Sequence, residues 1–183
     1  MKNLPLGINS LAKLLGSDCV YVDKTRMAWQ LVKQPGAFFL SRPRRFGKSL
    51  FVNTLKEIFE GNQALFEGLY IYDHWDWNRQ FPVILIDFAA GVVGSRQELD
   101  IRIQSLLRAN AVRLGLTLQE NEDIAGQFSA LIVNAVERYG QRAVVLVDEY
   151  DKPILDNIEK PEIAGEIREG IKNLYSVLKA QDV

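Results

Sequence analysis

Three short apolar runs alternate with long segments of helical periodicity, and this alternation most constrains the fold. The runs are AFFLS (37–41), PVILIDF (82–88) and RAVVLVDEY (142–150). Continuous apolar runs of this length are typical of strands that are buried on both faces. Strands that alternate with helices favour a parallel sheet covered by helices on both sides. The sequence therefore predicts an α/β fold with a mostly parallel sheet.

The segments between the runs predict amphipathic helices. One begins at Gly47 and is capped by Gly61, two more cover about 99–114 and 124–139, and the last begins at Pro161. Glycine after the last turn and proline in the first turn are common at these helix positions. No repeat or linker divides the chain, so we predict one domain over 1–183. Three strands are few for a complete parallel sheet, and we expect the chain to be the N-terminal part of a longer protein.

Charge and composition exclude several classes of protein. The 22 basic and 23 acidic residues nearly cancel, so no global positive field indicates a nucleic-acid partner, and any phosphate recognition is local. The single cysteine, Cys19, excludes an internal disulfide and is interpreted as a packing residue. No apolar segment is long enough for a secretion signal or a membrane span. We expect a cytoplasmic protein.

A basic turn, SRPRRFGKS (41–49), lies between the first apolar run and the first helix. It matches the second half of the phosphate-binding spacing G-x-x-x-x-G-K-[ST], the Walker A motif. Arg42 occupies the place of the first glycine. The amide groups at a helix N-terminus bind anions, and arginines add charge-assisted hydrogen bonds to phosphate oxygens. The predicted nucleotide-binding residues are Arg42, Pro43, Arg44, Arg45, Phe46, Gly47, Lys48, Ser49 and Leu50.

An acidic pair at the end of the third apolar run supports this interpretation. A phosphate-loop enzyme needs an acidic residue at the end of a nearby strand to hold Mg²⁺, and Asp148 and Glu149 end the run VVLVDE. Ser49 and Asp148 are the predicted metal-binding residues. Lys48 and Glu149 are the predicted catalytic residues, with Lys48 on the phosphates and Glu149 as a general base for water. The predicted ligands are ATP and Mg²⁺.

At these residues the chain resembles the bacterial AAA-ATPase-like family of phosphate-loop NTPases. The matching stretches are YVDKT (21–25), RPRRFGKSL (42–50), WNRQFPVILIDF (77–88) and VVLVDEYDKPI (144–154). The resemblance implies a three-layer P-loop NTPase sandwich that is incomplete at the C-terminus of this chain. It implies that a further strand, with a polar sensor residue, lies between the Asp148 strand and the phosphate-loop strand. It also implies ATP over GTP, and a C-terminal domain that is often nuclease-like, of the PD-(D/E)xK type.

Several other residues have both a structural and a functional interpretation. Asp23 is a candidate cap for the next helix, whereas the resemblance implies that Asp23, Lys24 and Thr25 lie near the nucleotide base. Asp87 is a turn residue or part of the outer shell of the metal, and Asp151 supports either the site or its loop. The aromatic loop with His74, Trp75 and Trp77 is interpreted as packing over the sheet edge or against a missing domain, because no second histidine or cysteine pair supports a metal site.

Three functions follow as hypotheses. The first is an ATPase domain that hydrolyses or senses Mg·ATP to drive or switch a partner domain. The second is a scaffold that binds nucleotide without hydrolysis. The third is a DNA-associated regulatory module of a nuclease, in which the arginines of the basic turn contact nucleic acid.

Overall fold

The computed structural model describes residues 2–34, 36–41, 43, 45–119 and 121–181. The chain forms two compact units, Met1–Phe81 and Pro82–Val183. Each unit is built around its own helices.

The first unit is helical. Its buried side chains come from all three helices and from two short 3-10 turns, so the elements share one small core. In the third helix the buried residues Phe51, Leu55 and Ile58 recur at helical spacing. Gly61, with φ 79°, follows the end of this helix, as predicted. The elements of the first unit are α1 (Leu11–Leu15), α2 (Thr25–Val32), α3 (Lys48–Phe59) and the turns Gln63–Phe66 and Tyr70–Asp73.

The predicted strand over 37–41 is wrong. This run lies in coil, and Phe38 and Phe39 are 50% and 73% exposed. A strand is stabilised by hydrogen bonds to a neighbouring strand, and none of the residues that the structure describes pairs with 37–41. The apolar composition is present, but none of the described strands lies beside the run to form a ladder with it.

The second unit contains a two-stranded parallel sheet of β1 (Val83–Asp87) and β2 (Val144–Asp148). The strands pair in register, from Val83 opposite Val144 to Asp87 opposite Asp148. Two long helices, α4 (Arg96–Leu114) and α5 (Ile124–Tyr139), connect them. The parallel pairing of the second and third apolar runs is thus confirmed.

Helices α4 and α5 pack with α7 (Pro161–Ala180) around one buried apolar cluster. A short helix, α6 (Lys152–Leu155), precedes α7. The side chains of Ser95 and Asp123 accept hydrogen bonds from the first turns of α4 and α5, respectively. Helix α7 begins at Pro161 as predicted, because proline lacks the amide that a first-turn position leaves unpaired.

None of the helices in the described residues combines the length and apolar content needed to cross a bilayer.

Candidate functional site

The phosphate-loop residues that the structure describes form a tight turn at the start of α3. Gly47 is the N-cap residue, with φ 73° and ψ 32° in the left-handed region. Arg45 also has a positive φ, 65°, which costs free energy for any residue with a Cβ. Arg42 and Arg44 lie outside the described residues. Two residues of this turn, Arg45 and Gly47, therefore have positive φ angles, at the position predicted from the motif.

The N-terminus of α3 is open to an anion. The first amide groups of a helix have no intrahelical acceptor, and neither Gly47, which lacks a side chain, nor another side chain of the described residues caps them here. Lys48, Ser49 and Leu50 are half-buried, whereas Pro43 and Phe46 are exposed. The free amides, the helix dipole and the Lys48 ammonium together favour negative charge at this point.

The segment 21–25 packs against α3 and the second 3-10 turn. The Asp23 carboxylate accepts the amide of Thr25 at 2.7 Å and the amide of Tyr70 at 2.8 Å. The Thr25 hydroxyl accepts the amide of Ile71 at 3.1 Å. Lys24 is the N-cap residue of α2 and makes no side-chain capping hydrogen bond, whereas Asp23, one residue earlier, accepts the amide of Thr25, the first residue of the helix.

Lys24 also lies near the phosphate loop, although the Walker A spacing does not include it. Its Nζ lies 3.8 Å from the position that a Cβ atom would take on Gly47. No sequence spacing indicates this approach, because the two residues belong to separate elements and meet only through packing within the first unit.

In the second unit, Asp148 ends β2 and lies opposite Asp87, which ends β1. Residues in register on parallel strands point to the same face, about 5 Å apart. One oxygen of each carboxylate accepts a nearby backbone amide, from Ala89 to Asp87 at 2.8 Å and from Glu149 to Asp148 at 3.1 Å. The expected position of Asp87 beside the Asp148 strand is confirmed, and so is its role in the following turn.

Glu149 has φ 51° and is half-buried. It begins the turn into α6, where its carbonyl accepts the amide of Lys152 at 3.0 Å. Asp151 is the N-cap residue of α6, although its side chain makes no capping hydrogen bond. Glutamate in the left-handed region is uncommon, and such strain clusters at functional sites.

The aromatic loop is a packing element of the first unit. Trp75 contacts Phe59 edge to face at 5.6 Å between ring centroids, and Trp77 stacks on Phe66 at 5.2 Å. His74 stacks on Tyr70 at 4.0 Å and Trp29 meets its edge at 5.5 Å. Among the described residues, no three His, Cys, Asp or Glu side chains gather as metal ligands.

The chain is an α/β protein, with a glycine-lysine-serine turn at a helix N-terminus in its first unit and an acidic pair at the end of a parallel strand in its second. The family model described as a predicted AAA-ATPase matches residues 5–183. The chain belongs to this AAA-ATPase-like family, as the resemblance implied.

A curated relative from Azotobacter chroococcum mcd 1, named "Uncharacterized protein in vnfD 5'region", is 53% identical over 182 residues. The match covers 99% of this chain and 35% of that relative, so the chain spans about a third of the relative's length. No solved structure matches the chain. A fused nuclease-like domain stays a prediction.

Proposed function

We propose that this chain is an ATP-binding P-loop ATPase domain that hydrolyses or senses Mg·ATP to drive or switch a partner domain. The observation that carries the proposal is the N-terminus of α3, which follows Gly47 in the left-handed conformation, begins with Lys48 and Ser49, and is not capped by a side chain of the described residues. Membership of the predicted AAA-ATPase family supports the choice of ATP.

The residues of the turn suit a polyphosphate. The free amides at the start of α3 face no side-chain cap among the described residues, and a bound phosphate supplies the missing acceptors. Lys48 reaches the outer phosphates, and the arginines of the turn add charge-assisted hydrogen bonds. Glycine suits position 47, because a residue with a Cβ would be strained in this left-handed conformation.

The proposed Mg²⁺ ligands are the Ser49 hydroxyl and the Asp148 carboxylate. Magnesium prefers oxygen ligands and retains several waters, so two protein groups are sufficient alongside the phosphates. When bound, the ion neutralises charge on the phosphates during transfer. Asp87, which is in register with Asp148, would accept hydrogen bonds from water ligands of the ion.

Glu149 is the proposed general base. It polarises a water that attacks the terminal phosphorus, the bond to the bridging oxygen breaks, and ADP and inorganic phosphate leave. The proton released by the water passes to the Glu149 carboxylate. The positive φ of Glu149 supports a role beyond packing, because strained backbone conformations at residues with a Cβ cluster at functional sites.

We further propose that the two-stranded sheet is part of a three-layer P-loop sandwich, in which a further strand pairs with β2. Every residue of β2 is partly exposed, and no other strand of the described residues lies along the edge of β2 away from β1. Such an open edge next to a catalytic pair is a place for a further strand. The partner domain and its location stay part of the proposal.

Calorimetric titration with Mg·ATP tests the site. We expect micromolar binding by the unaltered chain, its loss in Lys48→Ala, and weaker Mg²⁺-dependent binding in Asp148→Asn. Glu149→Gln should retain binding and lose turnover, measured as phosphate release. Binding without turnover in the unaltered chain would exclude hydrolysis and favour a domain that binds nucleotide as a sensor or scaffold, and a folded chain that does not bind Mg·ATP would contradict the proposal.

A further inference from the structure

A second lysine stands beside the phosphate loop. Lys24 Nζ lies 3.8 Å from the Cβ position built on Gly47, and no other described atom outside the chain neighbours of Gly47 comes within 4 Å of that position. Gly47 is the N-cap residue of α3. The Lys24 ammonium therefore approaches the point where the free amides of the helix begin.

The backbone around Lys24 is fixed by hydrogen bonds of its neighbouring residues. Asp23 and Thr25 are hydrogen-bonded to the amides of Tyr70 and Ile71 in the second 3-10 turn. The Tyr21 hydroxyl is hydrogen-bonded to the Lys24 backbone and to the Thr54 side chain. These two bonds oppose the rise in the pKa of this hydroxyl that burial, and then the Asp23 carboxylate, cause. Thr54 lies on α3. These contacts fix the backbone of Lys24 near α3, the helix that follows the phosphate loop.

No carboxylate of the described residues lies within salt-bridge distance of Lys24 Nζ. Asp23, the adjacent acid, uses both of its oxygens to accept backbone amides. An ammonium near a helix N-terminus meets the positive end of the helix dipole. This arrangement is unfavourable by itself and becomes favourable when an anion binds between the groups.

We propose that Lys24 is a second phosphate-binding lysine, which contacts the phosphate held by the amide of Gly47. This inference rests on the proposed nucleotide-binding function. Loop amides of this kind hold the inner phosphates, whereas the motif lysine reaches the outer ones. Lys24 therefore contributes to the binding of ADP and ATP alike, and Lys48 contributes more to the binding of ATP.

Titration of the 183-residue chain with Mg·ADP and Mg·ATP tests the proposal. Lys24→Met should weaken the binding of both nucleotides about tenfold, as expected for loss of one charge-assisted hydrogen bond, and Lys24→Arg should restore most of the affinity. The matched control is Lys13→Met, which removes the same charge from an exposed position on α1 and should bind both nucleotides like the unaltered chain. Equal affinity of Lys24→Met and Lys13→Met would overturn the inference.

Chemical labelling of the unaltered chain provides a test that does not depend on a variant folding. Acetylation of the Lys24 amine, followed by mass spectrometry, should slow when Mg·ADP is bound, while acetylation of Lys13 should not change. Binding of Mg·ADP without protection of Lys24 would overturn the inference and leave the proposed function standing. A chain that binds neither nucleotide would overturn the proposed function and this inference with it.

Discussion

At the scale of single residues, the candidate site is distinguished by its backbone. The two non-glycine residues with positive φ in the described part of the chain are Arg45 and Glu149. One lies in the phosphate loop and the other follows the candidate metal-binding aspartate. Because the left-handed conformation costs about 1–2 kcal/mol for residues with a Cβ, both positions store strain that a merely structural turn would avoid with glycine or asparagine.

If the backbone of Glu149 is strained, a residue that tolerates the left-handed region better should stabilise the folded chain. Asparagine tolerates the left-handed region better than glutamine does. We expect Glu149→Asn to have a free energy of unfolding about 1 kcal/mol above that of Glu149→Gln, measured by urea denaturation. Both variants remove the charge, so their difference isolates the backbone. Equal stabilities would mean that Glu149 is not strained in solution.

At the scale of elements, a side chain forms hydrogen bonds with the backbone along the free edge of β1 in the second unit. Asn110 is 4% exposed on α4, at a position where the helical periodicity alone leads one to expect an apolar residue. Its amide group donates to the carbonyl of Leu85 at 2.8 Å and its carbonyl oxygen accepts the amide of Leu85 at 2.9 Å. Asn110 thus pairs with β1 as a neighbouring strand would, on the edge away from β2.

Replacing this residue should destabilise the sheet edge. Asn110→Leu leaves the amide and carbonyl of Leu85 without their partner, and we expect a loss of about 3 kcal/mol in the free energy of unfolding. Asn173→Leu, an exposed change of the same kind on α7, is the control and should stay within about 0.5 kcal/mol of the unaltered chain. The comparison requires chemical denaturation of both variants, and similar losses would contradict the role of Asn110.

At the scale of the whole molecule, stability should depend on alkaline pH through Tyr175. Burial raises the pKa of its hydroxyl to about 12 from an ordinary value of 10.0, with further contributions from Tyr150 and Asp151. Between these pH values the unfolded chain has released this proton and the folded chain retains it. The unfolded state then binds fewer protons, so stability falls as pH rises.

We therefore expect the unfolding midpoint to fall between about pH 10 and pH 12. Tyr175→Phe removes the hydroxyl and should lose less stability over this range than the unaltered chain does. Tyr139→Phe, on α5 of the same unit, is the matched control and should behave like the unaltered chain. Thermal unfolding across this range measures the effect, and parallel pH profiles for Tyr175→Phe and the unaltered chain would refute it.

The sequence by itself determined the features whose causes are local. The positions of α3, α4, α5 and α7, and of the two strands of the parallel pair, follow to within a few residues from periodicity, caps and apolar runs. The glycine-lysine-serine turn was found at a helix N-terminus because the motif and the start of the helix occupy the same few residues.

Only the tertiary structure decided the features that need a distant partner. The run 37–41 has the composition of a strand, yet it stays in coil because no described strand pairs with it. The approach of Lys24 to Gly47, and the use of Asn110 to close the edge of β1, are contacts between elements. Composition and spacing describe what a segment can form, whereas hydrogen-bond pairing and side-chain approach depend on which other segment lies beside it.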